Sequence, residues 1–205
     1  MTTFFTADTH FSHARILELD NRPFKTIEEH DEELIRRWNE TVSPDDTVIH
    51  LGDVALGKIA DSLPLVGRLN GFKILKSGNH DRTFAGNKQK ERDRFLPIYE
   101  QYFDEVDDGG KTEPWMVYID EDDYFHPVVM SHFPHDSDHT SDIRYEQYRP
   151  DDDGRILICG HTHEKEPVQH SKKGTLQIHV SVTAWDFRPV SEHQIAQLIS
   201  ENMEN

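Results

Sequence analysis

The sequence predicts an α/β fold, and two observations carry that reading. Short apolar runs rich in Val, Ile and Phe end at Gly, Asp or Ser, which is the pattern of buried strands. Helical patterns fall between the early runs, so the first half reads strand, helix, strand, helix, strand, as in βαβ units. The second half is richer in sheet.

The elements are justified in chain order. Thr3 to Ala7, Thr47 to Leu51, Phe72 to Leu75, Pro127 to Met130 and Ile156 to Cys159 are expected as buried strands. Thr26 and Glu29 form a capping box ahead of Ile27, Leu34, Ile35 and Trp38, which share one helical face. A second helix covers part of Ile59 to Leu69, disturbed by Pro64. A third spans Lys88 to Tyr102, where Phe95, Ile98, Tyr99 and Tyr102 recur at helical spacing and Pro97 blurs its start. Trp115 to Ile119, an acidic turn at Asp120 to Asp123, and Tyr124 to Met130 read as a hairpin; Leu176 to Val182 reads as a further strand. Ser191 and Gln194 offer a capping box for a C-terminal helix through Ile199, followed by a frayed tail from Glu201 to Asn205. The polar stretch from His135 to Asp153 is either a surface loop or a flap over a site.

At 205 residues the chain is expected to form one domain over 1–205, burying roughly two thirds to three quarters of its unfolded surface. Lys+Arg 22 against Asp+Glu 39 give a formal net charge of -17, which repels phosphate backbones and anionic membranes unless bound cations invert the field locally. Stable nucleic-acid binding and membrane association are therefore not expected. The single cysteine, Cys159, permits no disulfide within the chain and fits a reducing compartment. The N-terminus lacks the basic start and apolar stretch of a signal peptide, so the expected location is the cytoplasm. Oligomeric state is not encoded in any feature of the sequence.

Five short polar motifs recur where apolar runs end: Asp8-Thr9-His10, Gly52-Asp53, Gly78-Asn79-His80-Asp81, Ser131-His132-Phe133-Pro134 and Gly160-His161-Thr162-His163. Strand side chains alternate faces, so Asp8 and His10 are expected to point the same way. Ligands gather beyond the carboxyl ends of strands in open α/β sheets, so the five motifs should converge. Their carboxylate, amide and imidazole donors suit a first-row ion such as Mn, Fe, Ni, Co or Zn, whereas one cysteine excludes an all-thiolate zinc site.

In this order the motifs resemble those of the calcineurin-like metallophosphoesterase superfamily, over Asp8 to His163. Asp8-Thr9-His10-Phe11-Ser12-His13 and Trp185-Asp186-Phe187-Arg188-Pro189 narrow the resemblance to small stand-alone phosphoesterases of bacteria and their viruses. The resemblance implies a four-layer α/β/β/α sandwich with two mixed β-sheets flanked by helices. It implies two divalent ions, manganese first and Fe, Zn, Ni or Co as alternatives. Asp8, His10, Asp53 and His163 would hold one; Asp53, Asn79, His132 and His161 would hold the other, with Asp53 as the bridge. Such a pair lowers the pKa of a shared water, and the resulting bridging hydroxide attacks phosphorus in line. His80 would protonate the leaving oxygen, and Asp81 would orient it. The implied activity is hydrolysis of phosphate esters, phosphodiesters first. Phosphomonoesters or nucleotides are the alternative, and a nuclease or a scaffold without activity ranks lower.

Single histidines are more often surface or hydrogen-bonded core than ligands, and that reading suits His30, His126, His170 and His193. Asp8, Asp53 and Asn79 could be turn or helix-cap residues, and Gly52, Gly78 and Gly160 could simply make tight turns. His50 lies within a strand and reads as core. His13 and Arg15 share the loop of the first ligands, Arg82 follows Asp81, and His135, His139 and Arg144 are the flap candidates of the long polar stretch. The acidic runs at 120–123 and 151–153 read as solvated turns.

Overall fold

A computed structural model describes residues 1–110, 113–119 and 124–203; of residues 113–119 and 124–126 only the backbone is described. The expected acidic turn at Asp120 to Asp123 lies outside the described residues, as does the side chain of His126. Two five-stranded mixed sheets flanked by helices make up the fold. In the first, β1 (Thr3–Thr6), β2 (Thr47–His50), β3 (Phe72–Lys76) and β4 (Glu105–Asp107) run parallel, and β10 (Val190–Ser191) adds antiparallel to β1. In the second, β5 (Glu113–Ile119) and β6 (Tyr124–Met130) form the expected hairpin. β7 (Ile156–Cys159) lies parallel to both β6 and β9 (Leu176–His179), and β8 (Val168–His170) closes the edge antiparallel to β9.

Period-two alternation sorts the strand side chains into separate cores. Phe5, Ile49, Val128, Met130, Ile156, Ile158 and Ile178 meet in one cluster, which joins residues of both sheets. Phe4, Val48 and Leu75 point to the opposite face of the first sheet, where α2 (Ile27–Thr41) lays down Leu34, Ile35 and Trp38. Half of the expected capping box of α2 forms, the Thr26 hydroxyl accepting from Glu29 N, while the Glu29 carboxylate accepts from Lys25 N, one residue before the N-cap. α5 (Glu192–Met203) contributes Ile195, Ala196 and Ile199 to the inter-sheet cluster, and Ser191 accepts from Gln194 N at its start. Helix continues through Met203, so the fraying expected from Glu201 is not seen among the described residues.

Other boundaries shift for local reasons. The helix expected within Ile59 to Leu69 is only α3 (Ile59–Ser62), and Pro64 turns the rest into a 3-10 segment, Leu63–Arg68. α4 (Gln89–Tyr99) carries Pro97 in its last turn, so the helical hydrogen bond its N–H would have made is lost close to where the helix ends. The strand expected from Leu176 to Val182 stops at His179 and ends in a 3-10 turn, Val182–Ala184. Short elements carry too little pattern to read from sequence, as with α1 (Ile16–Leu19), β4, β8 and β10. No helix among the described residues is long and apolar enough to cross a membrane.

Candidate metal centre

β1, β2, β3, β6 and β7 all end on one side of the molecule, and the five motifs follow them directly. The loops are laced together by backbone hydrogen bonds. Asp8 N donates to Gly52 O, His10 N to Asp53 O, and Phe11 N to Val54 O, at 3.0, 3.0 and 2.9 Å. Gly160 N donates to His132 O at 3.1 Å. A Cβ on Gly52 would lie 2.1 Å from Gly78 N, and Gly52 has φ +91, so close approach and a left-handed turn both require glycine there.

The pleat does not aim the first two ligands. Asp8 and His10 follow β1, and both are left-handed, with φ 59 and 51. Asp53, His161 and His163 share that conformation, with φ 58, 73 and 52. Asp and His tolerate this region better than most residues, yet each such residue stores strain of order 1 kcal/mol or more, of the kind that clusters at functional sites. Asp8 and His10 therefore converge as the sequence reading expects, through turns rather than strand alternation.

Two groups of ligand atoms result. Asp8, His10 and His163 form one and Asp53, His132 and His161 the other, with the atoms in each group within 4.8 Å of one another. His10 Nε2 and His163 Nε2 are 3.1 Å apart, and His163 Nε2 is 3.6 Å from Asp8 Oδ1. His132 Nε2 lies 3.1 Å from Asn79 Oδ1, while its Nδ1 donates to Leu51 O at 2.7 Å. Asp53 Oδ2 stands between the groups, 3.7 Å from His10 Nε2 and 3.6 Å from His132 Nε2.

The surroundings hold these side chains from behind. Asp8 Oδ2 accepts from His161 N and from the Ser181 hydroxyl. Burial would raise the Asp8 carboxyl, but His163, His132 and His10 around it hold it well below the usual carboxylate range. Burial would lower His163, but Asp8 and Asp20 outweigh it and push the imidazole up to about 9. Burial and the neighbouring His163 charge drive His10 well down. Asp20 Oδ2 sits 3.5 Å from His163 Nδ1 and accepts from Arg22 Nε at 2.9 Å. The buried Arg22 donates to the carbonyls of Asp8 and Thr9 at 2.8 and 3.0 Å, which fixes the first ligand loop. His50 is core, as expected. Its Nδ1 accepts from Gly52 N, its Nε2 meets the Thr9 hydroxyl, and burial pushes it down to about 3.

Asp81 is placed differently from the expected orienting role. Its carboxylate accepts from Asp53 N and Gly78 N, both at 2.8 Å, and from Val54 N at 3.2 Å. Tyr99 OH approaches at 3.5 Å. These contacts tie two ligand loops together, and the carboxylate reaches backbone rather than the His80 ring. Burial and the adjacent Asp53 charge push Asp81 up to about 7. His80 is exposed at the mouth, its backbone N–H donating to Asp53 Oδ1 at 2.9 Å and its Nε2 lying 3.9 Å from Asp53 Oδ2. Beside it a cavity of about 190 Å³ is lined by Leu56, Ile59, Asn79, Arg82 and Asn87.

Of the remaining expected residues, His13 is half-buried with its ring 5.4 Å from that of His10. His139 lies over the centre, ring centroids 5.1 Å from His161 and 4.9 Å from His163, so part of the long loop does reach the site. His135 is buried instead, its N–H donating to Gln177 Oε1. Arg144 pairs with Asp138, and Arg82 with Glu91. Sequence reasoning does not single out Asp20, Arg22, Asp138 or Ser181. Ser181 lies inside the alternating stretch from Leu176 to Val182 and lacks the signal that reveals the motifs, a polar residue at the end of an apolar run.

The donor set fits divalent ions. Asp8 Oδ1 is buried with no hydrogen-bond partner, and two imidazole nitrogens face each other at 3.1 Å. A cation between them would satisfy both facts. The comparisons agree with this chemistry. The calcineurin-like phosphoesterase model matches residues 1–165, so the chain belongs to that family, and it is a metal-dependent phosphoesterase. It is 36% identical to the gene 66 protein of Mycobacterium phage L5, over 97% of this chain and 94% of that protein. It is 33% identical to the gene 66 protein of Mycobacterium phage D29, over 92% of each. A crystal structure of a protein of unknown function from Aquifex aeolicus superposes with a TM-score of 0.66 at 25% identity, covering 96% of this chain and 98% of that one.

Proposed function

We propose that this chain hydrolyses phosphodiesters at a two-metal centre, with manganese as the favoured ion and Fe, Zn, Ni or Co as the alternatives. Asp8, His10, Asp53 and His163 would hold one ion, and Asp53, Asn79, His132 and His161 the other. The observation that carries this reading is the near-equal distance of Asp53 Oδ2 from His10 Nε2 and His132 Nε2, 3.7 and 3.6 Å. Two divalent ions supply charge neutralisation at phosphorus and a nucleophile at neutral pH.

The protein's own groups do the rest. His80, 48% exposed in its side chain and anchored through its backbone N–H, gives its proton to the departing oxygen. The leaving group moves into the adjacent cavity of about 190 Å³. Arg22, Arg82, Arg144 and Arg149 near the site are each tied to a protein carboxylate. A dianionic monoester would draw less from them than from free arginines, which favours the singly charged diester.

The test is turnover by the Mn-reconstituted protein on bis-p-nitrophenyl phosphate, p-nitrophenyl phosphate and a diester with an alkoxide leaving group. The diesters should be the better substrates. His80→Ala should keep its Mn content and lose ~100-fold or more on the alkoxide diester, which needs the proton, and less on the aryl diester. Preference for the monoester would replace the diesterase reading, and an equal loss on both diesters would remove His80 as the acid.

A further inference from the structure

The long loop after β6 carries a buried carboxylate that has no part in the ligand set. The Asp138 side chain is 0% exposed. Its Oδ1 accepts from His139 N at 2.8 Å and from Arg144 Nη2 at 2.6 Å; its Oδ2 accepts from Arg144 N at 3.0 Å and from Arg149 Nη2 at 2.9 Å. Arg149, 4% exposed in its side chain, also donates to the carbonyls of Pro134, Ser137 and Arg144. The carboxylate is thus held rigidly from both sides. Its remaining contact reaches into the centre, with Oδ1 3.2 Å from His161 Nε2.

We propose that Asp138 is the positioning residue for His161. By accepting the Nε2 proton it fixes the tautomer whose Nδ1 lone pair faces the second ion. The other nitrogen of the ring supports this, because His161 Nδ1 is buried with no hydrogen-bond partner. A neutral imidazole has one donor nitrogen and one acceptor nitrogen, and an ion requires the acceptor. Carboxylates that accept from the far nitrogen of a ligating histidine set both its tautomer and its basicity. Asp20 stands in the same relation to His163, 3.5 Å from its Nδ1, which leaves Nε2 toward Asp8 and His10. Both histidines of the last motif would then be set from behind, His161 through Nε2 and His163 through Nδ1, so that opposite ring nitrogens face the two ions.

This inference rests on the two-metal reading, and the experiment separates the two. The 15N and 1H shifts of the His161 ring in the metal-free wild-type protein give the tautomer directly; Nε2–H is expected, and Nδ1–H would overturn the proposal without any variant. Titration of metal-free protein with Mn2+ alone, followed by calorimetry, should show the affinity of the second ion falling by about 10- to 100-fold in Asp138→Ala. The first ion should bind as in wild type. Arg144→Ala loosens the loop while leaving the carboxylate on Arg149 and His161, and it should change the second affinity far less. An equal loss in the two variants would mean that Asp138 only anchors the loop, which overturns the proposal. His161→Ala should abolish the second binding step. If it does so while Asp138→Ala binds normally, the positioning role fails and the two-metal reading stands. If His161→Ala binds both ions, both fail.

Discussion

Replacing Asp81 separates an architectural role from a catalytic one. Three backbone N–H groups, those of Asp53, Val54 and Gly78, end on its buried carboxylate. Asp81→Ala strands all three, at about 1–3 kcal/mol each before water enters the space, so a loss near 5 kcal/mol is expected. That is a large share of the roughly 5–15 kcal/mol typical of a folded domain. Asp81→Asn can keep its amide oxygen on the N–H groups of Asp53 and Gly78, but its NH2 then faces Val54 N–H. One acceptor is lost, which costs about 1–3 kcal/mol. Burial and the Asp53 charge already push Asp81 up to about 7, so the neutral amide gives up little charge-assisted bonding, and the lower end of that range applies. Urea unfolding of metal-free protein reads both values. With a slope of about 2–3 kcal/mol per molar, Asp81→Ala should move the midpoint by roughly 2 M. Its Mn affinity should fall as well, because the carboxylate joins the loops that carry Asp53 and Asn79. An unmoved midpoint and full Mn content, together with a ~100-fold loss of turnover, would refute this account and restore Asp81 as the group that orients His80.

Two further outcomes concern the buried histidines and the ligand groups. Burial pushes His50 down to about 3 and His179 down to about 4. Below the unfolded value of 6.5 the unfolded chain takes up protons that the native state refuses. The stability they contribute is therefore complete above pH 6.5 and falls with acid by about 1.4 kcal/mol per pH unit for each ring until the native values are reached. His179→Leu should flatten the urea midpoint between pH 6.5 and 4.5 by one such increment, and an unchanged slope would contradict the burial of a neutral ring. Loading both sites with Mn2+, each at 100 times its Kd, should add about 2.7 kcal/mol per ion, or about 5–10 °C of melting temperature for each at this chain length; verified uptake without a shift would show that the unfolded chain holds the ions as tightly as the folded one.

The strands and the five motifs were legible because both write strong local signals. Phe5, Ile49 and Ile158 sit in apolar runs that end in polar turns, and period-two burial follows from the pleat alone. The joining of Asp8, His10 and His163 from distant segments was legible only through the order of the motifs. Its mechanism was not, since the left-handed turns at Asp8, His10, Asp53, His161 and His163 leave no mark in residue type beyond a tolerance shared by Asp and His. The acidic residue after His80 was legible as part of the site, but the direction of its carboxylate depends on where three backbone N–H groups lie. Arg22 and Asp138 were invisible for a related reason. Charged residues in polar loops are usually solvated, and only the packed fold shows that these two are buried against ligand loops.

All seven proposed ligand residues fall within the family match at residues 1–165, yet the C-terminal segment beyond residue 165 also packs against the loops that carry them. β9 pairs with β7, whose end carries His161 and His163, and β10 pairs with β1, whose end carries Asp8 and His10. Ser181 donates to Asp8 Oδ2. Phe187, left-handed with φ 56, lies between the Arg22 and Arg37 guanidinium groups at 5.9 and 5.8 Å and edge-on to Phe24. Arg37 in turn bonds Asp186 O, which fastens this turn to α2. A desolvated cation over a ring contributes up to about 2 kcal/mol, and here the cation is the one that holds the carbonyls of Asp8 and Thr9. The path Phe187, Arg22, Asp8 therefore runs from the C-terminal segment to the first ligand. This gives Trp185-Asp186-Phe187-Arg188-Pro189 a physical reason to accompany the five motifs: it sets the position of the loop on which Asp8 and His10 depend.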